Sequence, residues 1–146
     1  MRTVDLSHCR LESLPEALAE LPALAVLSVR GNAIRELDPN ALPATLEECD
    51  VAENALEGVL ALAGAADRFV RLKRLDASGN VGVVDVDDAL LAAPRLDFLI
   101  LTDTRCDPAA LSVKPSFAGY QRRRKERLDK ELGAGLTGDT RLFGIA

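Results

Sequence analysis

The chain has 146 residues and a mass of 15.6 kDa, the size of one domain, with 48% apolar and only 3% aromatic residues, so aliphatic side chains must fill its core. Its 18 Lys and Arg against 23 Asp and Glu give a formal charge of -5, which excludes an ordinary cationic nucleic-acid-binding domain and, with so much apolar content, a disordered chain. No apolar run approaches the ~20 residues of a membrane span, and an N-terminus with one Arg before Asp5 does not read as a secretory signal. The charge is uneven: residues 1–112 hold 10 Lys/Arg and 19 Asp/Glu, residues 113–146 hold 8 and 4, an acidic body followed by a basic tail.

The body is built on an internal repeat. It opens on a short copy, Val4-Asp-Leu6-Ser-His-Cys9-Arg-Leu11. Leu24-Ala-Val-Leu27-Ser-Val29-Arg-Gly-Asn32-Ala-Ile34 then has the form LxxLxLxxNxL. So does Leu46-Glu-Glu-Cys49-Asp-Val51-Ala-Glu-Asn54-Ala-Leu56. Leu72-Lys-Arg-Leu75-Asp-Ala77-Ser-Gly-Asn80 follows, with Gly82 in the last apolar slot. Leu96-Asp-Phe-Leu99-Ile-Leu101-Thr-Asp-Thr104-Arg-Cys106 is the last copy. The polar slot passes through Cys9, Asn32, Asn54, Asn80 and Thr104 at spacings of 23, 22, 26 and 24. Five registered copies of this kind are the mark of a repeat architecture, in which each unit buries its apolar side only by stacking on its neighbours.

Over roughly residues 3–111 the sequence resembles the leucine-rich-repeat family, in its small intracellular form. The resemblance implies an α/β fold: a leucine-rich-repeat solenoid with a short parallel concave sheet, helical or irregular convex returns and a C-terminal helix. It divides the chain into a repeat domain, 1–114, and a capping helix with basic tail, 115–146. In each repeat the LxL residues point inward and the residue between them is exposed. The slot Asn has two donors and an acceptor for turn backbone groups, which Cys or Thr serves less well. The first copy lacks its LxxL head. Its open end is read as covered by a partner, as closed by Met1–Val4 alone, or as belonging to a longer chain. Ala77 and Gly82 predict a thinner core in the fourth copy.

Among the returns, Pro15 is read as the first position of a short helical turn, and Pro39 and Pro43 make the second return irregular. The Ala-rich third return, from Gly58 to Leu72, is read as a helix, and 87–94 as a short helix with an acidic start and a Pro stop. Tyr120–Leu132 is read as the C-terminal helix, ended at Gly133, with a narrow stripe of Arg124, Leu128 and Leu132 to dock on the last repeat. Beyond it the glycines of 133–138 read as flexible, and Leu142-Phe143-Gly-Ile145 as a segment that folds back or docks on another chain.

Nothing points to catalysis, a cofactor or a metal. The register places Cys9, Cys49 and Cys106 in buried slots. Their odd number, and the lack of a CxxC pair or flanking cysteine caps, argue against a secreted disulfide framework and for a reducing compartment. His8 is the sole histidine, and alternation places Asp5 and Ser7 on one face with His8 off it, which weakens a Ser-His-Asp reading.

Two surfaces are candidates for binding. The first is the concave face, with columns Thr3, Val26, Glu48, Arg74, Phe98; Asp5, Ser28, Asp50, Asp76, Ile100; and Ser7, Arg30, Ala52, Ser78, Thr102. Glu53 and Asp103 lie just beyond. Five strands span ~19 Å, room for one helix or extended peptide. Basic residues of a partner would lie along Asp50 and Asp76, with an apolar anchor at Phe98 and Ile100. The bland alternative leaves a solvated acidic face whose apolar pair is covered by the chain's own C-terminus. The second surface is the tail: Tyr120 at the start of its helix, Arg122, Arg123, Lys125 and Arg127 exposed on it, and Leu142 and Phe143 beyond. The function read from these surfaces is a non-catalytic protein-interaction module, an adaptor or subunit of a larger assembly in the cytoplasm. Among related groups, the leucine-rich-repeat light chain of axonemal dynein implies cytoskeleton or flagellum, and phosphatase regulatory subunits are an alternative. The runner-up is a binder of nucleic acid or another acidic surface through the basic helix.

Overall fold

A computed structural model of the chain describes residues 2–62 and 67–133. Each repeat opens on a three-residue strand: β1 Thr3–Asp5, β2 Val26–Ser28, β3 Glu48–Asp50, β5 Arg74–Asp76 and β7 Phe98–Ile100. They form one five-stranded, wholly parallel sheet in the order β1-β2-β3-β5-β7. The register is the one expected, Thr3 beside Val26, Glu48, Arg74 and Phe98, and Asp5 beside Ser28, Asp50, Asp76 and Ile100. The central residues Leu27, Cys49, Leu75 and Leu99 are buried, because alternation turns them all to one side. The core continues through Leu24, Val29, Ile34, Leu46, Val51, Leu72 and Leu101, each nearly or fully sealed from solvent. At the first repeat, Val4, Leu6 and Leu11 pack against this core but stay partly exposed.

The slot asparagines bind the repeats to one another. Asn32 accepts the N–H groups of Cys9 and Leu11 at 2.9 Å and donates to Leu6 O and Val29 O. Asn54 accepts from Ile34 N and donates to Val29 O and Val51 O. Asn80, fully buried, accepts from Asn54 N and Leu56 N and donates to Val51 O and Ala77 O. Thr104 has too short a side chain for this reach. Its hydroxyl donates to Leu101 O and accepts from Cys106 N, both within its own repeat. Cys9 contributes its backbone N–H to the ladder and is exposed, contrary to the buried slot expected for it, because β1 is the edge strand of the sheet among the described residues. Cys49 and Cys106 are buried as expected.

The returns depart further from expectation. Residues Glu16–Glu20 form a 3-10 turn, with Pro15 as its cap rather than its first residue. The second return is irregular apart from a 3-10 turn at Pro39–Ala41, capped by the Asp38 side chain. No helix spans the described parts of the third return: Glu57–Leu60 is strand β4, and 67–72 are turns. Gly58 has φ +71°, outside the helical region, and β4 pairs in parallel with β6, Gly82–Val86, whose three valines favour a strand. Residues 63–66, the Ala-rich stretch that prompted the helical reading, lie outside the described residues.

Nor is the apolar slot of the fourth repeat left to Gly82. Ala33 N bonds Leu11 O and Ala55 N bonds Ile34 O, but Arg105 N bonds Val83 O, so the register advances one residue and the fully buried Val83 fills the slot. Helix α1, Asp88–Leu91, is the short helix expected before Pro94. Helix α2, Pro108–Ser112, was not foreseen, and the Asp107 side chain caps it by accepting from Ala109 N. The last described element, α3, runs Phe117–Gly133 and begins three residues earlier than expected.

Candidate interaction face

The residues flanking the buried centre of each strand form the other face of the sheet. Val26, Glu48, Asp50, Arg74 and Asp76 line one shallow depression of about 230 Å³ with Ser28. The acidic column is partly structural. One carboxylate oxygen each of Asp5, Asp50 and Asp76 accepts the backbone N–H two residues on, from Ser7, Ala52 and Ser78 at 2.9–3.0 Å. These caps satisfy donors where the strands end. The Ser7 hydroxyl also bonds Asp5 and meets Ser28 Oγ, and the Asp5 carboxyl is held below the ordinary range by Ser7, through side chain and backbone. His8 takes no part in this pair. It lies against Gly31, so Asp5, Ser7 and His8 do not form a relay.

Arg30 occupies the middle of the face. Its guanidinium lies 3.5 Å from Asp50, 3.4 Å from Glu53 and 3.8 Å from Asp76. Burial works against its charge, and these three carboxylates outweigh burial and raise its pKa. Arg30 therefore partly neutralises the carboxylates of the face. Phe98 is half-buried between two cations, with Arg127 4.3 Å and Arg74 5.6 Å from the ring centroid. Ile100 beside it is half-exposed.

The Leucine Rich Repeat family profile matches residues 1–21. This match falls on the first strand and return of a sheet whose parallel register runs on to β7 and whose Asn ladder runs from Asn32 to Asn80. The chain is similar to leucine-rich-repeat proteins. Over 75 residues, 50% of its length, it is 40% identical to the geranylgeranyl transferase type-2 subunit alpha of Sus scrofa, of which the match covers 13%. Domains of this repeat type are in general non-catalytic modules that bind other proteins.

The tail closes the last repeat by hydrogen bonds more than by an apolar stripe. The Tyr120 hydroxyl, fully buried, accepts the N–H of Leu99 at 3.0 Å, a donor on β7, the edge strand of the sheet among the described residues. Arg123 Nε donates to Leu96 O at 2.7 Å, and its Nη2 to Leu91 O. Arg127 reaches Asp97 at 3.4 Å and Glu131 at 2.9 Å while covering Phe98. Arg123 and Arg127 are thus half-buried and turned toward the repeats, not exposed as expected. Burial, followed by neighbouring Arg122, lowers the Arg123 pKa.

The stripe expected to dock is also displaced. Arg124 is buried, Leu128 half-buried, and Leu132 59% exposed, so the docking face runs through Phe117, Tyr120, Arg123, Arg124 and Arg127. Arg122 and Lys125 remain exposed. Leu142 and Phe143 lie outside the described residues. Among the described residues no group of His, Cys, Asp and Glu is arranged to hold a metal ion, and no helix is long and apolar enough to cross a membrane.

Proposed function

We propose that the chain is a non-catalytic interaction module that binds a protein partner, a helix or extended peptide, on the outward face of the five-stranded sheet. It works as an adaptor or as one subunit of a larger assembly. In this reading the repeats of 1–114 form a short curved solenoid, and 115–146 close its end. The observation that carries it is the registered array of Val26, Glu48, Asp50, Arg74, Asp76 and Ile100, a surface with fixed charges and an apolar end. Glu48 and Ile100 are the free elements of recognition, because Asp50 and Asp76 are already engaged by Arg30 and by their own strand ends. The likeness to a protein named as a subunit supports the assembly reading. A basic-helix reading for nucleic acid is disfavoured, since Arg123 and Arg127 face the repeats.

Affinity purification with mass spectrometry at native salt, with the wild-type chain and with Glu48→Lys/Ile100→Asp, tests the proposal. Partners should be retained by the first and lost from the second while its thermal unfolding is unchanged. Retention of every partner by the double variant contradicts it.

A further inference from the structure

Between α3 and the turns that lead into β5 and β7 lies a concavity of about 380 Å³ that joins three distant parts of the sequence: Lys73, then Pro94, Arg95 and Asp97, then Arg123, Glu126, Arg127 and Lys130. Five of its residues are cationic and two are acidic, in a chain whose formal charge is -5. Two of the four arginines of α3, Arg123 and Arg127, form a fixed wall. Arg123 is tied to the Leu96 and Leu91 carbonyls, and Arg127 to Asp97 and Glu131. Asp97 is thereby neutralised by Arg127, and burial, the largest influence on it, pushes its carboxyl upward. Lys73, Arg95 and Lys130 stay exposed around the rim, with Lys73 only loosely paired to Glu47 at 3.8 Å. With five cations against Asp97 and Glu126, the cavity keeps an excess of positive charge, although Lys73 also acts on Asp97.

We propose that this concavity binds a phosphoryl group, with Lys73, Arg95 and Lys130 as its donors. A phosphoryl dianion offers three acceptor oxygens, matching one planar guanidinium and two mobile ammonium groups better than the two oxygens of a carboxylate do. Lys73 and Asp97 immediately precede Arg74 and Phe98. A phosphorylated residue bound here therefore adjoins the end of the sheet face, although the site stands without the function proposed for that face. Glu126 is the wall residue that opposes an anion.

Fluorescence anisotropy with a labelled phosphoserine peptide, its unphosphorylated form and inorganic phosphate as competitor tests this on the full chain. The phosphopeptide is expected to bind and the unphosphorylated form not to. Lys73→Glu and Arg95→Glu should each weaken binding about 10-fold, the loss of a charge-assisted bond, and Glu126→Lys should tighten it. Arg10→Glu, in the first repeat, makes the same change in net charge and should leave binding unaltered. Competition by inorganic phosphate at concentrations equal to the peptide identifies free phosphate compounds as the source. Competition only at large excess identifies a phosphorylated partner, and both results support the site. Equal binding of the two peptides, or an Arg10→Glu loss as large as that of Arg95→Glu, would overturn it.

Discussion

Asn80 bears more of the inter-repeat bonding than any single leucine. Its amide is fully buried and engages two N–H groups and two carbonyls across neighbouring repeats. Asn80→Ala leaves these groups buried and unpaired, and the expected loss is roughly 3 kcal/mol in a urea titration. Asn32→Ala, at a half-buried position, should cost less. The residue before each slot is just as constrained. His8, Gly31, Glu53, Gly79 and Asp103 all have positive φ, between 56° and 75°. Glycine alternates with larger residues along this column, and a Cβ at Gly31 would collide with the His8 ring. Gly31→Ala should therefore lose roughly 2 kcal/mol, from the left-handed backbone and the collision together. His8→Ala should recover only the steric part in the double variant. The slot itself was legible because Asn, Cys and Thr recur at near-constant spacing. The left-handed column was not, because His, Glu and Asp carry no such signature and adopt this conformation only when the ladder imposes it.

At the scale of elements, the strands follow directly from LxL alternation and the returns do not. β4 exists because it pairs with the valine-rich β6, a tertiary fact that its own composition does not announce. The position of α3 was legible from its helix formers, but its docking face was not. Apolar periodicity pointed to Leu128 and Leu132, whereas the open edge of β7 demands hydrogen-bond partners that Tyr120 and Arg123 supply. Arginine stems cover apolar surface while their heads bind carbonyls, and hydropathy does not register this. Tyr120→Phe should cost about 1–3 kcal/mol by orphaning the buried Leu99 N–H.

The same packing sets an alkaline limit. Burial pushes the Tyr120 phenol and the Cys49 thiol each up to about 12, so the folded chain holds both protons where the unfolded chain has released them. Their stabilising contribution is complete below the unfolded values, roughly 8.5 for Cys and 10 for Tyr, and is lost as pH rises toward 12. Urea midpoints measured from pH 8 to 12 should fall through this window, and the fall above pH 10 should be shallower in Tyr120→Phe. At the acid end, Ser116 holds the Asp88 carboxyl below its ordinary range through side-chain and backbone bonds, so that contribution is present above about pH 4 and lost as pH falls further.

For the whole molecule, the contrast between acidic body and basic tail takes a definite form. The body's carboxylates are partly consumed by Arg30 and by backbone caps. Among the tail's described cations, Arg123 and Arg127 hold the last repeat, Lys114 pairs with Asp85 and Arg124 is buried, while Arg122, Lys125 and Lys130 are left outward. What remains available is the sheet face around Glu48 and Ile100, and its use by a protein partner is the central claim. The most direct test places a photo-crosslinking amino acid at Glu48, at Ile100 and at the exposed Val84 of β6, one position at a time, in otherwise unaltered chains expressed in their native cells. One and the same protein is expected to be captured from Glu48 and from Ile100 and to be absent from Val84. Capture of that protein from Val84 alone, or equally from all three positions, would contradict the claim.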